Sequence, residues 1–302
     1  MKGESLPKII TVVGPTASGK SDLAVDIAKR FNGEVVSADS RQVYKGMDIG
    51  TGKITEKEMK GVPHHMLDIA SPKRRFTVLQ YQKKARKAIA GILARGKVPI
   101  ICGGTGFYID AITQNIEIPR VPTNSTLRIK LEKTPLDELV ELLKEKDPRR
   151  ASDIDLKNPR RIIRALEIVD ALGKVPEQSS NSSGEYDVLH IGIKADDEVL
   201  RERIHARLLK RMNKGMLAEV ERLHTEGVSW KRMEELGLEY RYLARFLQGF
   251  ITKPEMLERL NIEIRKYAKR QRTWLKRNKD IKWFELSETL KAKKEVKKFL
   301  NS

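Results

Sequence analysis

Ile9-Ile10-Thr11-Val12-Val13-Gly14-Pro15-Thr16-Ala17-Ser18-Gly19-Lys20-Ser21 is the stretch on which the fold turns. Its first part is an apolar run of strand length, and residues 14–21 satisfy the phosphate-loop pattern GxxxxGK[ST] at every fixed position. Leu23, Ala24, Ile27 and Ala28 follow at helical spacing, so the pattern stands between a strand and a helix, the context that gives it meaning. Glycines let successive backbone N–H groups turn toward one anion, and the helix N-terminus adds partial positive charge at the same place. Gly14, Pro15, Thr16, Ala17, Ser18, Gly19, Lys20 and Ser21 are therefore the expected polyphosphate cradle. Lys20 should reach the terminal phosphate oxygens while the Ser21 hydroxyl helps to hold Mg²⁺. The loop alone leaves open whether the phosphates are transferred, hydrolysed or expelled.

A chain of 302 residues has room for a substantial core and an insertion. Sixty Lys and Arg against 41 Asp and Glu leave a formal charge of +19, which points to a polyanionic partner, either nucleic acid or an anionic membrane surface. The lone cysteine, Cys102, excludes an internal disulfide and suits a reducing compartment. No segment reaches transmembrane length, and the N-terminal apolar run belongs to the phosphate-loop strand. The expectation is a cytoplasmic protein with no signal peptide and no membrane contact.

Glu34-Val35-Val36-Ser37-Ala38-Asp39 reads as a second strand ending in an acid. That puts Asp39 at the carboxyl edge of the sheet, where ligands of open α/β folds bind. Two roles compete for it: a carboxylate that holds Mg²⁺ through water, and a general base for a substrate proton. Ser40, Arg41, Gln42 and Tyr44 add donors and a ring able to grip a nucleotide. The adjacent His64 and His65 invite a metal reading, which is rejected because neighbours in sequence rarely converge on one ion. From Thr77 to Arg95 apolar residues recur every three or four positions and predict a surface helix. Val98 to Cys102 is another short buried strand, opening into Gly103-Gly104-Thr105-Gly106. Strand, helix, strand in this order predicts a right-handed parallel unit with Thr105 on the same sheet edge as Asp39 and the phosphate loop.

Pro119 and Pro122 break the pattern, and Glu117 to Tyr186, charged, mostly helical and carrying the polar run Gln178 to Gly184, reads as an inserted lobe. The expected fold class is α/β, a P-loop NTPase-like parallel sheet flanked by helices over 1–116 and 187–302, with the helical lobe at 117–186 and a helical, basic C-terminal region. In the lobe Arg128, Arg160, Arg161 and Arg164 offer phosphate-sized anchors. Leu189 to Ile193 returns the chain to the sheet, Asp196 is placed to cap the next helix, and Arg203 and Arg207 share a face of it suited to the expelled phosphates. On the last long helix Arg265, Lys269, Arg272 and Lys276 are spaced four, three and four, opposite Leu257, Leu260, Ile264 and Ala268. From Arg265 to Lys282 nine basic residues face one acid, Asp280. A stripe without carboxylate partners tracks a phosphate backbone. Tyr267 and Trp274 read as core.

These segments together resemble the tRNA dimethylallyltransferases, also called tRNA isopentenyltransferases. The resemblance is carried by GPTASGKS at 14–21, SADSRQVYKGMDIGTGK at 37–53, GVPHHMLDI at 61–69, GGTGFY at 103–108, NPRRIIRALEI at 158–168 and YAKRQRTWLKR at 267–277. It implies a phosphate-loop fold that binds dimethylallyl diphosphate in place of ATP, and transfer of the dimethylallyl group to the exocyclic amine of the adenine just 3′ of the anticodon. It further implies Asp39 as the general base, Thr105 as its partner in placing the adenine, and Lys20, Ser21 and Arg207 facing the diphosphate. Ser40, Arg41, Gln42, Arg128 and the run Arg160, Arg161, Ile162, Ile163 and Arg164 would meet the tRNA anticodon arm. Apart from the resemblance, the sequence offers no evident protein partner, and a monomer is expected. Two features depart from the family. The stretch from Arg128 to Pro148 is short, and Gly237-Leu238-Glu239-Tyr240-Arg241 stands where the family more often has Gly-Tyr-Lys or Gly-Tyr-Arg. Two other readings compete: a small-metabolite kinase, which would not need the basic helix, and a nucleic-acid-binding NTPase, against which the missing second acidic motif for water activation counts.

Overall fold

The structure is a computed structural model and describes residues 6–177 and 184–302. The polar run at 178–183 lies outside the described residues. The chain forms two compact units, Met1–Asn115 with Ser183–Ser302, and Ile116–Ser182.

In chain order the first unit begins with β1 (Lys8–Val13), α1 (Lys20–Arg30), β2 (Gly33–Ala38), α2 (Glu56–Met59), β3 (His64–His65), α3 (Val78–Ala94), β4 (Val98–Gly103) and α4 (Gly106–Thr113). The second unit holds α5 (Ser125–Glu132), α6 (Leu136–Lys146), α7 (Pro148–Asp153) and α8 (Pro159–Leu172). Returning to the first, the chain adds β5 (Asp187–Lys194), α9 (Asp197–Asn213), α10 (Met216–Thr225), α11 (Trp230–Leu236), α12 (Leu238–Leu247), α13 (Lys253–Leu275), β6 (Lys282–Glu285) and α14 (Thr289–Asn301).

Six strands pair in the order β3-β2-β4-β1-β5-β6, and every pairing is parallel. A parallel sheet is covered on both faces, which is why β1 is apolar almost without interruption. Its residues alternate between two cores: Ile9 and Val13 pack with Tyr81, Ile89, Leu260 and Ile264, whereas Ile10 and Val12 pack with Leu23, Ile27 and Ile191. Val13 and Ala38 are both in register with Gly103, so the ends of β1, β2 and β4 form one row. The phosphate loop, Asp39 and Thr105 leave the sheet from that row, as the strand order of the sequence requires.

Local signals account for most boundaries. Thr77 caps α3 in a reciprocal box with Gln80, and Thr252 does the same for α13 with Glu255. Asp196 occupies the N-cap of α9, but its side chain makes no capping hydrogen bond. The short edge strands β3 and β6 escape a periodicity reading because two and four residues are too few to show a period. At the amino end of the sheet the wholly buried Glu34 accepts hydrogen bonds from Arg95, Lys97 and His65, so His65 serves a carboxylate there. The second unit has its own core of Leu139, Leu143, Ile162, Leu166 and their neighbours. Among the described residues no helix is long and apolar enough to cross a membrane.

Candidate active site

The phosphate loop is held in a shape that only part of its sequence can take without strain. Gly19, at the N-cap of α1, has φ 90°, and Ala17 also lies in the left-handed region at φ 63°. The first N–H groups of α1 have no intrahelical partner, and Ser21 beside them is exposed. Ser18 is wholly buried, and its hydroxyl has no hydrogen-bond partner among the described residues. Lys20 folds back on the loop, its Nζ donating to the Pro15 carbonyl at 3.1 Å. Burial lowers the pKa of Lys20; Arg207 adds to the effect, while Cys102 and Asp39 oppose it.

Beyond β2, Asp39 presents its two oxygens differently. Oδ1 accepts the backbone N–H groups of Arg41 at 2.8 Å and Gln42 at 3.3 Å, while Oδ2 has no protein partner among the described residues. Thr105 ties the neighbouring strand ends together: its N–H donates to the Ala38 carbonyl and its hydroxyl accepts from Ser40 N–H at 3.1 Å. Tyr267 hydrogen-bonds the same threonine side chain. Burial and the nearby Asp39 push the Tyr267 phenol up to about 12 against that bond, so it stays protonated.

Tyr267 belongs to a face of α13 whose role in the site sequence reasoning missed. Gln271, one turn on, accepts from Thr16 N–H at 2.8 Å through Oε1 and donates to the Gly104 carbonyl at 3.1 Å through Nε2. Gly104 has to be glycine here, since a Cβ would stand 2.2 Å from that Nε2. Trp274 follows, donating from Nε1 to Asp110 at 2.7 Å. The spacing 267, 271, 274 is a helical stripe visible in the sequence; Tyr267 and Trp274 read there as core, and Gln271 between them clamps the phosphate loop to the loop after β4.

Thr16, Ala17, Lys20, Asp39, Ser40, Arg41, Arg207, Tyr267 and Gln271 line one cleft of about 110 Å³, joined by Gly50, Thr51, Arg211, Leu238 and Glu239. The loop that supplies Gly50 is held by a buried carboxylate. Glu219 accepts the N–H groups of Asp48, Ile49 and Gly50 at 2.7–2.9 Å and the Tyr240 hydroxyl at 2.8 Å. The arrangement combines cations and backbone donors for a phosphate group with a carboxylate oxygen free to take a proton.

Residues 42–278 match the IPP transferase family. Among curated proteins, tRNA dimethylallyltransferase 2 of Citrifermentans bemidjiense is 42% identical over 274 residues, covering 91% of this chain and 88% of that one. The chain belongs to the IPP transferase family. Among solved structures, the full-length tRNA isopentenylpyrophosphate transferase of Bacillus halodurans has a TM-score of 0.74 at 34% identity, covering 97% of each chain. A eukaryotic dimethylallyltransferase, captured acting on tRNA, reaches 0.78 at 29% identity over 92% of this chain and 74% of that one. Family membership makes the chain a prenyltransferase and sets aside the kinase and NTPase readings.

The remaining residues expected at the RNA fall into three groups. Gln42 is near the cleft, but its amide points to the Gly52 carbonyl at 3.5 Å. In the second unit, Ile162 and Ile163 are buried in the core, which corrects their expected contact role. Arg128 and Arg164 both donate to the buried Glu167, at 2.6 and 3.3 Å, which leaves as exposed anchors Arg160 and, in a loose surface pair with Asp155 at 3.8 Å, Arg161. On α13 the expected absence of carboxylate partners fails at Arg272, which is ion-paired with Asp197 of α9. A local charge count cannot see an acid so distant in sequence. Arg265, Lys269 and Arg272 line a second cavity of about 330 Å³ with Asp197, Arg201 and Lys266, while Lys276 lies just past the helix end, exposed.

Proposed function

We propose that this chain transfers the dimethylallyl group of dimethylallyl diphosphate to the exocyclic amine of the adenine 3′ of the anticodon in tRNA. The observation that carries the reading is the meeting in one cleft of Lys20 and Arg207 with Asp39, whose Oδ2 is uncommitted. The amine nitrogen forms a bond to the allylic carbon as the carbon–oxygen bond to diphosphate breaks, and the amine proton passes to Asp39 Oδ2. Lys20, Arg207 and the N–H groups at the head of α1 stabilise the charge that develops on the departing diphosphate. Thr105, aligned by Ser40 and Tyr267, places the adenine against the base. The adenine has to leave its stack to enter the cleft, which calls for a basic grip on the surrounding RNA. Arg41, the exposed Arg160 and Arg161, and the stripe on α13 are assigned to it.

The donors present suit Mg²⁺: a hard hydroxyl oxygen on the exposed Ser21, with the remaining ligands supplied by phosphate oxygens and water. When bound there, the ion would offset leaving-group charge beside Lys20. The same proposal has the enzyme act in the cytoplasm, where tRNA is found. Incubation with dimethylallyl diphosphate and an anticodon-arm RNA tests the reading. Diphosphate release that requires the RNA, with a matching mass gain on the adenine, is expected. Release of inorganic phosphate from ATP, with no prenyl transfer, would overturn it.

A further inference from the structure

Phosphate loops ordinarily cradle nucleoside triphosphates, and nothing in residues 14–21 separates a two-phosphate ligand from a three-phosphate one. The distinction is built on α9 and α12. Arg207 and Arg211 lie one turn apart on α9 and both line the cleft, yet they are not equally available. Arg207 makes no hydrogen bond or ion pair with the described residues, so its guanidinium is free for an incoming anion. Arg211 is already committed: its Nη1 donates to the Gly50 carbonyl at 2.6 Å and to Glu239 Oε1 at 2.9 Å, in a pair whose side chains are 15% and 12% exposed.

Glu239 thus places a carboxylate in the cleft wall beside Arg211, one turn along α9 from the free Arg207. Its position is set by backbone conformation. Gly237 has φ 75° and Leu238 φ 43°, a left-handed turn costly for leucine that starts α12. The following residue, Tyr240, is fastened to Glu219.

We propose that Glu239 is a specificity-determining residue, whose carboxylate, paired with Arg211, excludes a third phosphate and leaves a cleft that takes diphosphate esters and rejects triphosphates. The inference rests on the transfer reading above. Like charges brought together out of water repel strongly, and an arginine neutralised by a neighbour repays little of that cost.

Equilibrium binding of inorganic diphosphate and inorganic triphosphate to the full chain in Mg²⁺ buffer tests it, for wild type and Glu239→Gln, with thermal unfolding as the fold control. Wild type is expected to prefer diphosphate by about tenfold or more, and Glu239→Gln to bring the two affinities within about threefold by tightening triphosphate. An unchanged ratio in Glu239→Gln overturns the proposal. So does a wild type that binds triphosphate as tightly as diphosphate, a result that stands even if the variant does not fold. Diphosphate bound without discrimination sinks the filter alone, whereas failure to bind either anion sinks the transfer reading with it.

Discussion

Asp39 enters the cleft with one oxygen occupied by two backbone N–H groups and the other unclaimed, the arrangement of an oriented base. Asp39→Asn keeps the shape and removes the proton acceptor, so prenyl transfer should fall by roughly 10² to 10⁴ while donor binding survives. If Mg²⁺ half-saturation and donor affinity shift together instead, and excess Mg²⁺ restores transfer, the residue is a metal ligand. Lys20 carries a pH signature. Burial lowers its pKa below the ordinary 10.5, so the charged form proposed to hold diphosphate is complete at low pH and is lost earlier than an ordinary lysine's as pH rises. Donor affinity should therefore weaken on the alkaline side before pH 10.5 is reached, and a titration of affinity against pH that stays flat to that value would contradict the assignment.

At the scale of elements, the amino ends of β2, β3 and β4 are pinned by Glu34. Burial raises its pKa, but the hydrogen bonds from Arg95, Lys97 and His65 outweigh that and leave it at about 2, against an ordinary 4.5. A carboxyl depressed in the folded state contributes stability that is present above its unfolded pKa and lost as pH falls through the folded one. Glu34→Gln should thus be less stable than wild type at pH 7 by up to about 3 kcal/mol. The gap should close between pH 4.5 and about 2; urea midpoints across that range give the answer, and a gap that ignores pH would count against the network. The stripe on α13 divides along similar lines. Lys269 and Lys276 have no ion pair among the described residues, whereas Arg272 already faces Asp197. Converting both lysines to Gln should reduce the salt slope of tRNA binding by about one unit per contact, with a coefficient of ~0.9 for duplex or ~0.7 for single strands, and Arg272→Gln should change it less. Equal slopes for wild type and the double variant would make the stripe a solvated face.

For the whole molecule, a formal charge of +19 matters only where it is free to meet phosphate. The exposed Arg160 and Arg161 belong to one compact unit, Lys269 and Lys276 to the other. If both units grip one RNA, replacing all four by Gln should lower log affinity and salt slope by the sum of the two pairs' separate losses. A fourfold variant no weaker than either pair would remove one unit from the interface. The sequence by itself determined the parallel sheet, the phosphate loop and the convergence of Asp39 and Thr105 with it, because GxxxxGK[ST], the apolar runs and strand–helix–strand order are all local patterns with a fixed geometric consequence. Only the tertiary structure decided which side chains finish the cleft. Gln271 bonds Thr16 across 255 positions and Glu219 bonds Gly50 across 169. The pairings of Arg211 with Glu239 and Arg272 with Asp197 likewise join separate helices. Charge and periodicity state what a side chain is and which face it occupies, but whether a cation is spent or free depends on an acid brought beside it by packing.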